Sequence, residues 1–333
     1  MCIRDSCLAA AYGLGLALPF IAPIFAFMLT APAKPPMGLK GTLGLALAVA
    51  LALGLGLLVA PFLTHYPAAG LLLVLLGLFL CNYLTLILGK SLVGSLLTVG
   101  EALVSTAGVL AQPLAMALVT GMVGGVILTV ICQWVVYPFF PEDEVVETPA
   151  PFTPAPSRWL ALRATLIVYP GFLLALSNPA AYLATVMKTV ALGQQASSID
   201  ARGAGRELLG STFVAGLLAI ALWAGLSMAP NLWMFFLWTW LFAYYIAARL
   251  YGIAATRYPP SFWQNVMITL LILVGPAVSD SANGNDVYKA FAMRMSLFIA
   301  VTVYAWMAVV VLDQLYLRSM RKRGLRPSDP VPV

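Results

Sequence analysis

An ionisable side chain in the middle of an apolar run costs about 2.5–3.5 kcal/mol to place in a membrane, so the few that occur there are where chemistry is expected. Glu101 is the first. It is the eleventh residue of the run 91–108, sits between Gly100 and Ala102, and shares the run with no other charge. A carboxyl group so placed can bind and release a proton during a transport cycle, which makes Glu101 the proton-coupling candidate. The plainer alternative is a protonated glutamic acid hydrogen-bonded between helices. Lys188 is the second, in the proline-led run 179–192. Its ammonium either meets a substrate carboxylate inside a cavity or snorkels to the membrane surface.

Arg202 and Arg206 stand one helical turn apart, and Arg206 opens the next apolar run. Guanidinium groups at a helix amino terminus attract anions, so the pair joins Lys188 as a substrate-binding candidate. Glu207 would hold that mouth by pairing with Arg206 or a neighbour; two interfacial anchors are the plainer reading. Asp280 and Asp286 bracket a polar loop, with Lys289 and Arg294 behind it. The order DSANGND does not fit a calcium loop. Asp280, Asp286 and Arg294 are therefore candidates for a periplasmic gate or an adaptor contact, or members of a solvated loop. Asp313 and Arg318 are expected to pair at the membrane surface. No catalytic residue, metal site or cofactor is expected. His65 is the single histidine, Cys2, Cys7, Cys81 and Cys132 stand singly, and there is no GxxxxGK[ST], HExxH or GxSxG. The chain is accordingly not expected to be an enzyme.

These residues are carried by a chain of 333 residues that is 62% hydrophobic and 9% charged, against about 25% charged in an ordinary soluble domain. That composition excludes a soluble enzyme and predicts an all-α, polytopic membrane protein. Residues 1–6, MCIRDS, resemble the in-frame translation of a sequencing-library adapter and are set aside, with the natural amino terminus expected to be missing. The apolar stretch 7–18 is too short to span and reads as the stump of a first helix. A proline-broken segment, 19–31, precedes the loop 32–36. Spans are predicted at 40–60, 68–88, 91–108 and 113–137, then at 159–177, 179–192, 206–228, 231–250, 262–279 and 290–317. Between the two sets lies PFFPEDEVVETPAPFTPAPS, an acidic, proline-rich stretch that cannot bury a core. Gly44, Ala48, Ala52 and Gly56 stand at spacing four and allow close helix packing. Trp233, Trp238, Trp240, Tyr244 and Tyr245 either stack an aromatic ligand or form an interface belt.

The domain organisation follows: a first transmembrane repeat at 7–137, a linker at 138–158, a second repeat at 159–317 and a basic tail at 318–333. The halves look like one unit used twice. Lys40-Gly41-Thr42-Leu43-Gly44 opens a long span as Arg206-Glu207-Leu208-Leu209-Gly210 does, and Leu78-Phe79 matches Leu241-Phe242. Six segments per half, eleven and a truncated first helix in all, make the copies parallel repeats about an axis along the membrane normal. Lys34, Lys40, Lys90, Arg158, Arg202, Arg206, Arg249, Arg257, Arg318, Arg321, Lys322, Arg323 and Arg326 fall on the linker side, against Lys289 and Arg294 opposite. The net charge of +6 is thus a membrane-orientation signal, not a nucleic-acid surface, and it places linker and tail in the cytoplasm.

A resemblance joins these features. The proline-broken segment PFIAPIFAFMLTAPAKPP, the stretch Ala201-Arg202-Gly203-Ala204-Gly205-Arg206-Glu207-Leu208-Leu209-Gly210-Ser211-Thr212, and Ser261-Phe262-Trp263-Gln264-Asn265 through Asp280-Ser281 to Arg294 resemble an uncharacterised family of bacterial inner-membrane proteins. That family is itself similar to the fusaric acid resistance and aromatic acid exporter superfamily, and the resemblance covers nearly the whole chain. It implies secondary efflux, across the bacterial inner membrane, of small anionic aromatic or amphipathic compounds, with a periplasmic adaptor of the membrane fusion protein type. Proton coupling follows by exclusion of a nucleotide motif. The alternative is a non-transporting membrane subunit that anchors or assembles a secretion complex. Self-association is left open.

Overall fold

The computed structural model describes residues 2–16, 19–30, 37–88, 91–139, 157–196, 201–282, 284 and 286–322. Every regular element among them is helical. The first half holds α1 (Cys2–Gly13), α2 (Ile21–Thr30), α3 (Leu39–His65), α4 (Pro67–Leu88), α5 (Ser91–Val99), a π-helical segment (Gly100–Val104), α6 (Ser105–Leu110) and α7 (Gln112–Val136). The second holds α8 (Ser157–Ser177), α9 (Pro179–Ala196), α10 (Ala201–Met228), α11 (Leu232–Leu250), α12 (Pro260–Ala282) and α13 (Val287–Lys322). Seven of the described helices are long and apolar enough to cross a membrane, so the chain is a polytopic, all-α membrane protein. Most of the linker, from residue 140 to 156, and the tail from 323 lie outside the described residues.

Local chemistry accounts for these boundaries. Proline opens α4, α9 and α12, where its missing N–H leaves no bond unmade and its fixed φ suits a first turn. Asn231 caps α11, its side chain accepting from the Met234 N–H at 2.8 Å. Inside the spans, Thr85, Thr98 and Thr165 donate to the carbonyl one turn back, which hides a hydroxyl in apolar surroundings. The first helix runs from Cys2 and so includes residues set aside in the sequence. Its carboxyl end falls at Gly13, short of the expected 18.

Helix pairing in one half recurs in the other. In the first, α1 packs on α2 and α7, α2 on α7, and α3 on α4, on the rod α5–π–α6, and on α7. In the second, α8 packs on α9 and α13, α9 on α13, and α10 on α11, α12 and α13. Contacts between halves are reciprocal: α4 meets α8 as α11 meets α1, and α5 and α6 meet α9 as α12 meets α2. Such exchange of partners is what a two-fold relation between halves requires. Not every pairing obeys it. α9 lies along α12, whereas no comparable packing joins the ten-residue α2 to the α5–π–α6 rod among the described residues.

The fold corrects several expectations. Only the upper half of the α3 stripe is a contact surface: Ala52 is buried and Gly56 abuts the Gly100 backbone, while Gly44 and Ala48 face outward. Residues spaced by four advance about 40° per step around a helix of 3.6 residues per turn, so the stripe winds away from its partner. Cys7 and Cys132 do not stand singly. Packing of α1 on α7 brings the two thiols into hydrogen-bonding contact within a cluster of Ala11, Ala22 and Ala26, with no disulfide between them. Asp313 pairs with Arg163 of α8, not with Arg318; Arg163 Nη1 donates to both carboxylate oxygens at 2.8 Å. Five residues along a helix is a turn of about 140° beyond one revolution, which points Asp313 and Arg318 apart.

Arg163 is 4% exposed, and deleting its side chain would strand Asp313 in the seam between α8 and α13. Arg163→Ala is expected to lose about 3 kcal/mol of stability, seen as a lower melting temperature in detergent. Arg163→Met combined with Asp313→Leu should recover most of it, because a packed apolar pair replaces a broken ionic one. An unchanged melting temperature in the single variant would count against a structural role for the pair.

Candidate functional site

Lys188 is held two turns inside the carboxyl end of α9, about 12 Å along the axis from Ala196, and its side chain is fully buried. It does not snorkel. The ammonium turns inward across the α9–α12 seam, donating to Thr269 Oγ1 at 2.8 Å and to Asn265 Oδ1 at 3.3 Å. Thr269 also donates to Asn265 Oδ1 at 3.4 Å, and Asn265 Nδ2 donates to Ser211 Oγ of α10 at 2.6 Å. Three helices are thereby tied, α9 to α12 by the amine and α12 to α10 by the Asn265 amide. All of its partners are neutral, and no carboxylate pairs with it among the described residues. An ammonium carries three donors, and a buried cation without a counter-ion is costly.

Asn265 also forms part of a cavity wall. The cavity, about 470 Å³, lies where α2 stands away from the α5–π–α6 rod and is closed by α4, α9 and α12. Its deeper lining is apolar, from Ile24, Val99, Met187, Val190, Ile268 and Ile272; Thr85, Ser95, Gln194, Gln195, Ser261 and Gln264 supply hydroxyl and amide groups. These polar residues come from the end of α4, the start of α5, the end of α9 and the start of α12, so they line the side of the bundle from which the linker departs. A volume of this size, apolar with a few convergent polar groups, suits a small molecule. A second polar seam borders it: Asn82 of α4 donates to Thr165 Oγ1 at 3.3 Å and accepts from Gln194 at 3.5 Å, linking α4, α8 and α9.

Glu101 lies in the π-helical segment, whose extra residue per turn is unusual and recurs at functional positions. It is 6% exposed, and its carboxyl lies against Gly77 of α4, beside Cys81. A Cβ at Gly77 would fall 2.5 Å from Oε1, so any other residue there would make the carboxyl shift. No side chain donates to the carboxyl among the described residues, unlike the hydrogen-bonded glutamic acid of the plainer expectation. The backbone is better served, the Glu101 carbonyl accepting from Ser105 Oγ. Val99, two residues earlier, faces the cavity, while Glu101 is turned to α4. The two buried ionisable groups thus occupy elements that touch, α9 and the π segment, without sharing one chamber.

The remaining predicted residues separate. The Arg202 side chain lies outside the described residues. Arg206 is exposed and lies over the Tyr258 ring at 5.4 Å, away from the cavity lining. Glu207 does not pair with it; the carboxylate accepts from Ser261 Oγ of α12 at 2.9 Å. Asp280 and Arg294 form an ion pair at 2.6 Å joining α12 to α13. Asp286 caps α13, accepting from the N–H groups of Tyr288 and Lys289 at 3.1 and 3.2 Å. On α11, Trp233, Trp240, Tyr244 and Tyr245 face outward, and Trp238 packs over Gly225. Sequence reasoning did not single out Asn82, Thr165, Thr269 or Arg163. Their signal was present, an amide, hydroxyl or guanidinium inside an apolar run, but nothing in it says which ones converge.

Residues 6–136 match the family described as protein of unknown function (DUF2955). That stretch contains α2 to α7 and Glu101 but not Lys188. No curated protein and no solved structure matches the chain.

Proposed function

We propose that the protein is a secondary transporter that exports small organic anions with an aromatic or similarly amphipathic body. The observation that carries this reading is the cavity of about 470 Å³ between the halves, apolar within and lined by Asn265, the residue that holds the buried Lys188 amine. A carboxylate entering from the linker side would displace Asn265 or Thr269 as partner of the ammonium and leave its ring against Met187, Val190, Ile268 and Ile272. The excess of basic residues on that side supports a cytoplasmic placement for it. The likeness to the fusaric acid resistance and aromatic acid exporter superfamily points the same way and adds a periplasmic adaptor as partner.

The two halves act as one duplicated unit, rocking about the site between them. Glu101, carried on the rod that packs against α9, is the proton-binding group in this scheme. The test is uptake of hydroxybenzoate-like acids by everted vesicles with and without a proton gradient. Gradient-dependent uptake is expected in wild type, and Glu101→Gln should abolish the dependence on the gradient. Absence of wild-type uptake removes the transport reading, and would favour a subunit that anchors a larger complex. Unchanged uptake by Glu101→Gln removes the proton assignment alone.

A further inference from the structure

Side chains from α10, α11, α12 and the turn before α12 form a ladder on the side from which the linker departs, with a guanidinium at each end. Arg206 lies over Tyr258 at 5.4 Å, and Tyr258 stacks on Phe262 with centroids 4.2 Å apart. Phe262 meets Trp263 edge-on at 5.3 Å, and Arg249 lies 5.3 Å from Trp263 and 3.7 Å from Tyr245 on its own helix. Trp263 is fixed in turn by donating to Thr256 Oγ1 at 3.1 Å. Stacking occupies the faces of the guanidinium groups and leaves the N–H donors in their planes. Arg249 spends one of these on the Tyr245 carbonyl at 3.3 Å. Neither arginine pairs with a carboxylate among the described residues, where Glu207 is taken by Ser261 and the ion pairs are Arg163–Asp313 and Arg294–Asp280. Arg257, exposed in the same turn as Tyr258, adds a third positive charge.

We propose that this ladder binds the phosphate of an anionic phospholipid headgroup in the leaflet on the linker side. Two features favour a lipid over a soluble anion. The ladder stands at the ends of membrane-spanning helices, at headgroup level, where basic clusters between helices meet acidic lipids. Beside it the surface is apolar, with Ile253 and Tyr251 exposed for acyl chains to lie against. The site does not overlap the cavity and does not depend on transport.

The experiment is native mass spectrometry of the detergent-solubilised full chain with dioleoyl phosphatidylglycerol, cardiolipin or dioleoyl phosphatidylcholine. Wild type is expected to retain the two anionic lipids, and Arg206→Gln with Arg249→Gln to lose about tenfold in their retention, with phosphatidylcholine adducts unchanged. Lys40→Gln with Arg158→Gln removes the same charge from the same side, outside the ladder, and should retain anionic lipid as wild type does. Equal loss in both double variants, or none in the first, overturns the site. A soluble source is tested separately: if millimolar inorganic phosphate raises the melting temperature of wild type as much as phosphatidylglycerol does, the ligand is not a lipid. Monodisperse elution of each variant shows that a loss is not misfolding.

Discussion

Lys188→Met is expected to reduce anion uptake by about 10- to 100-fold, the worth of a charge-assisted hydrogen bond of about 1.5–3 kcal/mol, while leaving the melting temperature unchanged or slightly higher. The two effects separate because of what surrounds the amine. Its partners, Asn265 Oδ1 and Thr269 Oγ1, already bond each other at 3.4 Å, so neither is stranded when the amine goes. Methionine follows nearly the same path as the lysine stem. Replacing an unpaired buried cation by a packed apolar side chain removes a desolvation cost and adds none. A purely structural tie between α9 and α12 would behave in the opposite way, losing stability with no selective loss of uptake. Uptake in everted vesicles, read beside thermal unfolding of the same preparation, distinguishes the two.

The largest expected loss of stability is at Gly56. A side chain there would meet the carbonyl of Gly100, and one at Gly100 would meet the carbonyl of Ala52, so α3 and the π-helical segment touch backbone to backbone. Gly56→Leu must drive the two apart, and with them the rod that carries Glu101. Overpacking of this kind costs roughly 3 kcal/mol or more, because a close-packed seam has no slack to absorb the added atoms. Gly54, two residues away, is only partly buried and has nothing within 4 Å of its Cβ position. Gly54→Leu is therefore expected to melt as wild type does, and even to gain slightly in helix propensity. Thermal unfolding followed by size-exclusion chromatography tests both. Comparable melting of the two variants would mean that α3 does not approach the rod this closely.

The contrast between Gly54 and Gly56 shows where sequence reading stops. Both are glycines in one apolar run, and the spacing that selected Gly56 selected Gly44 equally. Which of them meets a neighbour depends on helix rotation, which is fixed by contacts with residues about 45 positions away. Asp313 gives the same lesson. Its nearest opposite charge in sequence is Arg318, yet its partner is Arg163, some 150 residues distant, because the choice is made by the facing of α8 and α13.

The class and the span boundaries were legible because they are local: about 20 apolar residues without a charge have few stable alternatives to a membrane helix, and proline marks several of the starts. Glu101 and Lys188 could likewise be picked from the chain, since burial of an ionisable group among apolar neighbours is visible as composition. What each of them meets was not. The cavity exists because α2 is short while α9 is long, and Lys188 faces Asn265 because α9 lies along α12. Both depend on distances between helices far apart in the chain. Local patterning thus determined that these residues are buried in a membrane, and only the packing of the helices decided that one faces a cavity wall and the other a glycine.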